Sequence, residues 1–467
     1  MRLPSNIARH VPASLCLLLL WLFSVSSCEK LGSEGKPPSV ATSPGEQPAA
    51  QAEQVLRLHG SNTIGLSLAP ALAKGFFAEL GAVNVVINGD DRKSERIRVQ
   101  GLVKGKPTAI EVYARGSKVG FESLAAGACD IALSSRPIKT EEASALKALG
   151  DMTAPSSDHV VGIDGIAVIV HKKNKAAKLT TKQLAAIFAG EAGDWSQVGG
   201  AAGPIHVYTR DAKSGTYDAF SAIVMGGKAI KSGAKPFDDS EALSTAVAAD
   251  EGGIGYVGLP YVKEARSIAV QDGDATPLFA TVFTVATEDY ALSRRLHFYT
   301  PETPANPLTR PFVDYALSDA GQRIVEGAGF VSLAVKGESP SVPAGAPADY
   351  AADVKGAIRL SVDFRFRTGR SELDTKALSD IDRVLRFLSA PENRGKHTIL
   401  HGFADNQGGE KVNLELSKTR ADTVARELKQ RGISADKATG WGSALPIAPN
   451  DTPDGRERNR RVEIWVR

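Results

Sequence analysis

From residue 55 onward, short apolar runs alternate with amphipathic stretches. VLRLHG (55–60), TAIEVYARGS (108–117), CDIALSS (129–135), VGIDGIAVIVHK (161–172), IHVYTR (205–210) and GGIGYVGLPYV (252–262) read as strands with their turns. Between them, SNTIGLSLAPALAKGFFAEL (61–80) reads as a loop entering a helix, and KVGFESLAAG (118–127), TTKQLAAIFAG (180–190) and YDAFSAIVM (217–225) carry helical spacing. Thr180 or Thr181 is placed to cap the third of these, and Gly190 to end it. Apolar strands separated by helices imply an α/β unit with a largely parallel sheet covered on both faces.

The pattern changes after residue 356. AIRLSVDFRFRTGRSELD (357–374) opens with an alternating strand, and TKALSDIDRVLRFLSA (375–390) is an amphipathic helix. HTILHGFADNQG (397–408) is a strand ending in a polar loop, NLELSKTRADTVARELKQRG (413–432) a helix closed by Gly432, and RRVEIWV (460–466) a final alternating strand. This predicts an α+β domain with helices on one face of a mixed sheet, Leu416 and Val424 on the core-facing stripe. Two stretches lack periodicity and are rich in small residues and proline: 29–54 and GESPSVPAGAPAD (337–349). The layout is therefore a leader (1–27), a tether (28–54), a first domain (55–336), a linker (337–355) and a last domain (356–467). Residues 88–107 look like a charged insertion forming a solvated surface hairpin.

The leader changes the cellular picture. Arg2 and Arg9 precede an apolar run from Val11 to Val25, then SVSSC, and the run is short for a membrane span. The end resembles a bacterial lipoprotein signal, with Cys28 the residue to be lipidated. Glu29 and Lys30 follow it without an Asp, which favours the outer over the inner membrane. The resemblance implies a lipid-anchored protein on the periplasmic face of the envelope. Of the three cysteines, Cys16 leaves with the leader and Cys129 remains as a buried small hydrophobe. The net charge of +3 is spread over mixed signs and gives no argument for nucleic acid. No His/Cys spacing suits a metal, no cofactor motif is present, and no Ser/His/Asp set or paired carboxylates suggests an enzyme.

In α/β sheets, ligands collect where strands end and helices begin, because free amides there point outward. Three such loops are rich in Gly and hydroxyls: GSNTIG (60–65), RGSKVG (115–120) and RDAKSGTYDAF (210–220). Ser134, Ser135 and Arg136 form a fourth edge. Hydroxyls, amides and a guanidinium converging on one cleft suit a small oxyanion.

The order of these pieces resembles the phosphate-binding periplasmic receptors of ABC importers, the PstS-like group. LTTKQLAAIFAG with DW and VGG following, and SGTYDAF, carry the resemblance most specifically. It implies a type II periplasmic-binding fold: two α/β lobes joined by crossing strands, lobe one at 55–163 plus 278–336 and lobe two at 164–277. It also implies an anion site of Ser61, Asn62 and Thr63, Gly116 and Ser117, and Arg210, Ser214, Gly215 and Thr216. After the strand CDIALSS some members carry an Asp that accepts a hydrogen bond from the protonated anion. Here stand Ser135 and Arg136, which implies an added positive charge and weaker discrimination between phosphate and sulfate.

The last domain resembles the OmpA-like peptidoglycan-binding module through HGFADNQGG (401–409), NLELSKTRA (413–421) and NDTPDGRERNRRVEIWV (450–466). The resemblance implies that Asp405 takes the ammonium, and Arg420 the carboxylate, of the diaminopimelate in the peptide stem. It places Asn413 and Arg461 near that groove. Together these readings predict an envelope lipoprotein that binds phosphate or a similar oxyanion and holds murein, with an ABC permease as a candidate partner. The alternative is a wall-tethered sensor or envelope organiser whose cleft takes another anion or a protein.

Overall fold

The computed structural model describes residues 53–89, 95–343, 345–366 and 372–467. The leader, Cys28 and nearly all of the first tether lie outside them.

The chain lays down β1 (Gln54–Gly60), β2 (Val83–Asn88), β3 (Arg96–Val103), β4 (Lys106–Ala114) and β5 (Ile131–Ser134) in a first lobe. A long strand, β6 (Asp158–Val170), crosses to a second lobe carrying β7 (Lys178–Thr180), β8 (His206–Arg210), β9 (Lys235–Phe237), β10 (Gly253–Gly258), β11 (Arg266–Ser267) and β12 (Ala269–Gln271). The chain returns along β13 (Ser293–Tyr299). Beyond it lie β14 (Gly337–Glu338), β15 (Ile358–Arg365), β16 (Thr398–Gly402), β17 (Lys437–Gly440) and β18 (Arg461–Val466).

One sheet runs through both lobes in the order β2-β3-β4-β1-β5-β13-β6-β10-β8-β9, with β11 also on β6. It is mixed rather than largely parallel. The β1–β4, β1–β5, β8–β9 and β8–β10 pairs are parallel. The crossing strands β6 and β13 run antiparallel to each other and to their neighbours β5 and β10. The reason is connectivity: a strand that returns the chain between lobes must reverse direction. Residues 96–107 are not an appendage. They form β3 and its turn into β4, where Lys104 and Gly105 both have positive φ, as a tight hairpin requires. Residues 90–94 of the expected insertion lie outside the described residues.

The three largest apolar cores among the described residues follow the two lobes and the last domain. Leu56, Leu58, Phe76, Phe77, Ile110 and Phe298 belong to the first lobe's core. Ile169, Phe188, Phe220, Tyr256, Val285 and Tyr290 belong to the second's. Val285 and Tyr290 thus pack with lobe two, although the sequence reading assigned 278–336 wholly to lobe one. Glycine at 165 lets the helix Val282–Ala286 press on β6, since a Cβ there would sit 2.5 Å from a Val285 methyl. The capping expectation holds: Thr180 Oγ1 accepts from Gln183 N (3.0 Å), Gln183 Oε1 accepts from Thr180 N (2.8 Å), and Gly190 closes the helix at φ +83°. A cap of this kind contributes about 1 kcal/mol.

The third core lies between the helices Thr375–Ser389 and Glu410–Gln430 and a sheet ordered β14-β15-β18-β16-β17. Val424 is buried in it. Leu416 is 40% exposed, because the helix's buried face at that turn is Asn413, Ser417 and Arg420. The expected linker is packed where it is described. Residues 337–338 add β14 to the sheet edge, and the helix Ala348–Val354 buries Tyr350 beside Phe403 and Trp465. Tyr350 Oη donates to Glu463 Oε2 at 2.9 Å. No helix among the described residues is long and apolar enough to cross a membrane.

Candidate functional site

Four strand ends converge on the cleft between the lobes. At the end of β1, Gly60 has φ +142°, and a Cβ there would lie 2.1 Å from Leu133 O. This close approach lets Ser61 N donate to Leu133 O (2.9 Å), while Arg115 N and Gly116 N both donate to Gly60 O (2.8 Å). Gly116, at φ +92°, starts the helix Ser117–Ala125. Ser117 Oγ accepts from Ser135 N at 3.2 Å. The candidate residues of lobe one, Ser61, Gly116, Ser117 and Ser135, are therefore locked into one edge by backbone hydrogen bonds and the Ser117 hydroxyl.

Lobe two offers Ser214, Gly215 and Thr216 at the entry to the helix Gly215–Phe220. Ser214 Oγ accepts from Thr216 N at 3.2 Å. The two lobes touch here. Thr63 Oγ1 donates to Gly215 O (3.1 Å), and Asn62 Nδ2 donates to Asp218 Oδ2 (3.1 Å). Glycine is required at 215: a Cβ would lie 2.4 Å from Thr63 Cα. The cleft is shut in this structure.

Arg294, which the sequence reading did not single out, ties the shut cleft together. It stands on β13 opposite Asp164 of β6. Its Nε bonds Asp164 Oδ2 at 3.2 Å, and its Nη2 donates to Thr63 Oγ1 (2.5 Å) and Gly215 O (3.1 Å). Burial lowers the Arg294 pKa, opposed by Asp164, and burial raises that of Asp164, opposed by Arg294. Burial also raises the Asp218 carboxyl, with Asn62 and Arg294 opposing. The signal that would have found Arg294 is an arginine pair inside a largely buried crossing strand, SRRLHFY.

The two arginines expected to face an anion are occupied by protein. Arg136 makes a two-pronged pair with Glu142 (2.8 and 2.6 Å) and lies 5.4 Å over the Phe121 ring. Arg210 donates to Phe237 O (3.3 Å), Asp238 O (2.9 Å) and Ser240 Oγ. Cys129 is buried beside the helix Ser117–Ala125, its thiol pushed up to about 12 by burial. That leaves it inert as a nucleophile.

The second polar site lies in the C-terminal domain, on the loop after β16. Asp405 Oδ1 accepts from Gln407 N (2.8 Å), and Asp405 Oδ2 pairs with Arg460 Nη1 (2.8 Å). Arg420, from the helix Glu410–Gln430, is 8% exposed. It donates to Phe403 O at 3.3 Å and lies 5.6 Å over the Phe366 ring. Burial lowers its pKa to about 10, Arg460 adding to the effect and Asp405 opposing it. Asn413 is buried, with Nδ2 3.5 Å from Gly408 O.

Arg461 faces the interior. It is buried over the Phe403 ring (4.0 Å) and donates to Glu463 Oε1 (2.8 Å) and Leu445 O (3.2 Å). The residue beside it, Arg460, is the one that reaches Asp405. Adjacent positions entering a strand face opposite sides, so the tandem arginines in NRRVE divide between groove and interior. Among the described residues no group of His, Cys, Asp or Glu side chains is placed to hold a metal ion.

Comparison with known proteins gives two family matches. The model of the PBP superfamily domain matches residues 98–320, and the OmpA family model matches residues 365–460. The phosphate-binding protein PstS of Staphylococcus saprophyticus is 30% identical over 295 residues, covering 60% of this chain and 91% of that protein. SphX of Synechococcus elongatus is 31% identical over 255 residues, covering 52% of this chain and 74% of that protein. Among solved structures, a possible phosphate binding protein from Planctomyces limnophilus shares the fold with a TM-score of 0.50 at 23% identity. The match covers 65% of this chain and 97% of that one.

Proposed function

Because the chain belongs to the PBP superfamily, as a PstS-like protein with an OmpA family domain behind its receptor domain, we propose that it captures inorganic phosphate in its cleft while its C-terminal domain holds peptidoglycan. The observation that carries this reading is the locked edge of Ser61, Gly116, Ser117 and Ser135 facing the Ser214-Gly215-Thr216 loop in a shut cleft. Neutral hydroxyl and amide donors on both lobes suit an oxyanion that is stripped of water as the lobes close. The engaged states of Arg136 and Arg210 support a site in which neutral donors do most of the binding. Asp218, on the same helix as Thr216, supplies the carboxylate that the sequence reading found missing after β5. A carboxylate acceptor favours a protonated anion, so phosphate is preferred over sulfate.

In the C-terminal domain, Arg420 receives the carboxylate of a diaminopimelate stem and Asp405 its ammonium, with Arg460 holding Asp405 in place. Cys28 carries lipid, and the protein sits on the periplasmic side of the envelope, at the outer membrane. A receptor held by lipid and wall reaches an inner-membrane ABC permease poorly, which favours capture or sensing over import. The cleft performs no turnover.

The test is calorimetric titration of the full chain, stripped of bound ligand, with phosphate, sulfate and nitrate. Alongside it runs the Ser214→Ala, Thr216→Ala variant. Phosphate heat that vanishes in the variant supports the reading. No heat with any anion overturns it and leaves the fold reused as a wall-tethered envelope module.

A further inference from the structure

The strand β13 presents neighbouring arginines to opposite faces. Arg294 closes the cleft. Arg295, the next residue, faces away and pairs with Glu288 (2.9 Å) and with Asp374 of the C-terminal domain (2.7 Å). A buried docking face surrounds this second arginine. Arg359 pairs with Asp289 (2.9 Å), Arg365 donates to Thr287 O (2.9 Å), and Arg458 donates to the carbonyls of Glu288 (3.3 Å) and Asp289 (3.0 Å). Arg359, Arg365 and Lys376 are all buried there.

The contacts fall on both lobes. Thr375 Oγ1 donates to Asp158 Oδ2 at 3.3 Å, at the end of β6 that lies beside β13's pairing with β5 in lobe one. On lobe two, Arg458 Nη1 lies 3.6 Å from Asp272 Oδ2, and Pro449 packs on Gly273 so closely that a Cβ there would be 2.7 Å away. A rigid domain that touches both lobes must lose contacts to one of them when the lobes rotate apart. In this structure the cleft is shut and every one of these contacts is made.

We propose that the C-terminal domain is a brace across the back of the hinge, whose contacts with Asp158 on one lobe and Asp272–Gly273 on the other hold the cleft shut. The wall-binding domain is then part of the receptor and not cargo on a string. Anion binding and docking of the C-terminal domain on the hinge are coupled, and by linkage each strengthens the other by the same factor. Arg295, Thr375 and Arg458 are positioning residues: none touches the cleft, and each acts through the hinge.

The experiment uses the full chain with Thr375→Val and, separately, Arg458→Leu. Amide hydrogen exchange is followed without ligand at Gly215 to Tyr217 and, as reference, in β1. First-turn amides lack intrahelical acceptors, so those of Gly215 and Tyr217 lose their cover by the opposite lobe when the cleft opens, while Thr216 N keeps its cap on Ser214 Oγ. Each variant should exchange about fivefold faster or more at Gly215 and Tyr217, with β1 unchanged, and should bind inorganic phosphate weaker by a similar factor. Asp272→Asn combined with Arg458→Leu should add little to Arg458→Leu alone.

Exchange unchanged within twofold in both variants overturns the brace. So does faster exchange throughout the receptor, which would mean general destabilisation. Thr375→Val removes a single hydrogen bond and keeps the test open if Arg458→Leu fails to fold. If phosphate gives no heat with the unaltered chain, the function proposed above fails, while the exchange comparison still decides the brace.

Discussion

The cleft and the C-terminal pocket both present themselves as anion sites, yet they handle positive charge in opposite ways. In the cleft, Arg294 is tied to Asp164, Thr63 and Gly215, Arg136 to Glu142, and Arg210 to the segment 237–240. Each guanidinium has protein acceptors, as do the amides of Ser61, Gly116, Ser135 and Thr216, so the donors left for an incoming anion are the hydroxyls and the remaining loop amides. In the pocket, Arg420 is as deeply buried as Arg210, yet among the described residues it gives one hydrogen bond, at 3.3 Å, and its pKa falls to about 10 through burial. On the proposed function, one site closes around its ligand with neutral donors and the other keeps a costly buried charge in readiness for a carboxylate.

The largest expected effect tests the first half of that contrast. Removing Arg294 by Arg294→Met leaves the Asp164 carboxylate buried without its partner, which costs about 3–5 kcal/mol. Urea unfolding should show this loss in the receptor domain. A loss under about 1 kcal/mol would mean that Arg294 is not what holds the cleft and that its charge is free for other use. Next in size is Arg420→Ala, which should weaken pelleting with purified sacculi by about 2–5 kcal/mol and leave phosphate heat unchanged. Arg420→Lys should recover only part, since an ammonium cannot make the two-pronged pair. Below these, Ser214→Ala and Thr216→Ala should each weaken phosphate by about 1.5–3 kcal/mol, the range for hydrogen bonds to a charged group. Calorimetry showing no change in either would remove the neutral donors from the comparison altogether.

How much of this was legible beforehand follows the same division. Local signals worked where local chemistry decides. A cap at Thr180 or Thr181, the loop at Gly116 and Ser117 before a helix and the α/β and α+β classes of the two domains were readable from periodicity, turn residues and motif order, although the first sheet is mixed rather than largely parallel. What failed was side-chain partnership. Spacing does not announce that Arg136 turns to Glu142 on the next helix or that Arg210 turns to the 237–240 segment, and Arg294 meets Thr63 across 231 positions. The segment 337–355 has a linker's composition, but Tyr350 finds a cage of His401, Phe403, Trp441 and Trp465 that only the folded domain supplies. Leu416 was misplaced for a related reason. Helical spacing identifies a stripe, but the polar residues Asn413, Ser417 and Arg420 occupy the buried side at that turn.

Acid separates the two regions in another way. In the cleft burial raises the Asp164 and Asp218 carboxyls, whereas the docking face behind the hinge depends on Glu288, which is held low. Burial alone would raise that carboxyl, but Arg295, Lys376 and Arg365 together hold it down to about 2. Its folded pKa lies below its ordinary value of 4.5, so its contribution is complete above pH 4.5 and is lost as pH falls toward about 2. Thermal unfolding at pH 7, 4 and 3 should show an acid loss that is smaller in Glu288→Gln, whose amide does not titrate. Equal acid loss in both chains would place the sensitive group elsewhere.

The smallest expected effect bears most directly on the contrast. Arg136 is the residue that the sequence offered as an extra positive charge for the anion. Its guanidinium is committed to Glu142 by two short hydrogen bonds and by the Phe121 ring, and the pair carries no net charge toward the cleft. Glu142 sits at the start of the helix Thr140–Ala145, where its Oε2 also accepts from Lys139 N at 2.9 Å, so the pair is fixed from both ends. Releasing the arginine would cost both hydrogen bonds and the ring contact. A partly exposed pair of this kind contributes about 0–1 kcal/mol, and little of that reaches the cleft. Arg136→Gln should therefore change phosphate affinity by less than about threefold, under 0.7 kcal/mol. A tenfold loss would show the guanidinium leaving Glu142 for the anion as the lobes close, and the cleft would then use charge in the same way as the wall pocket.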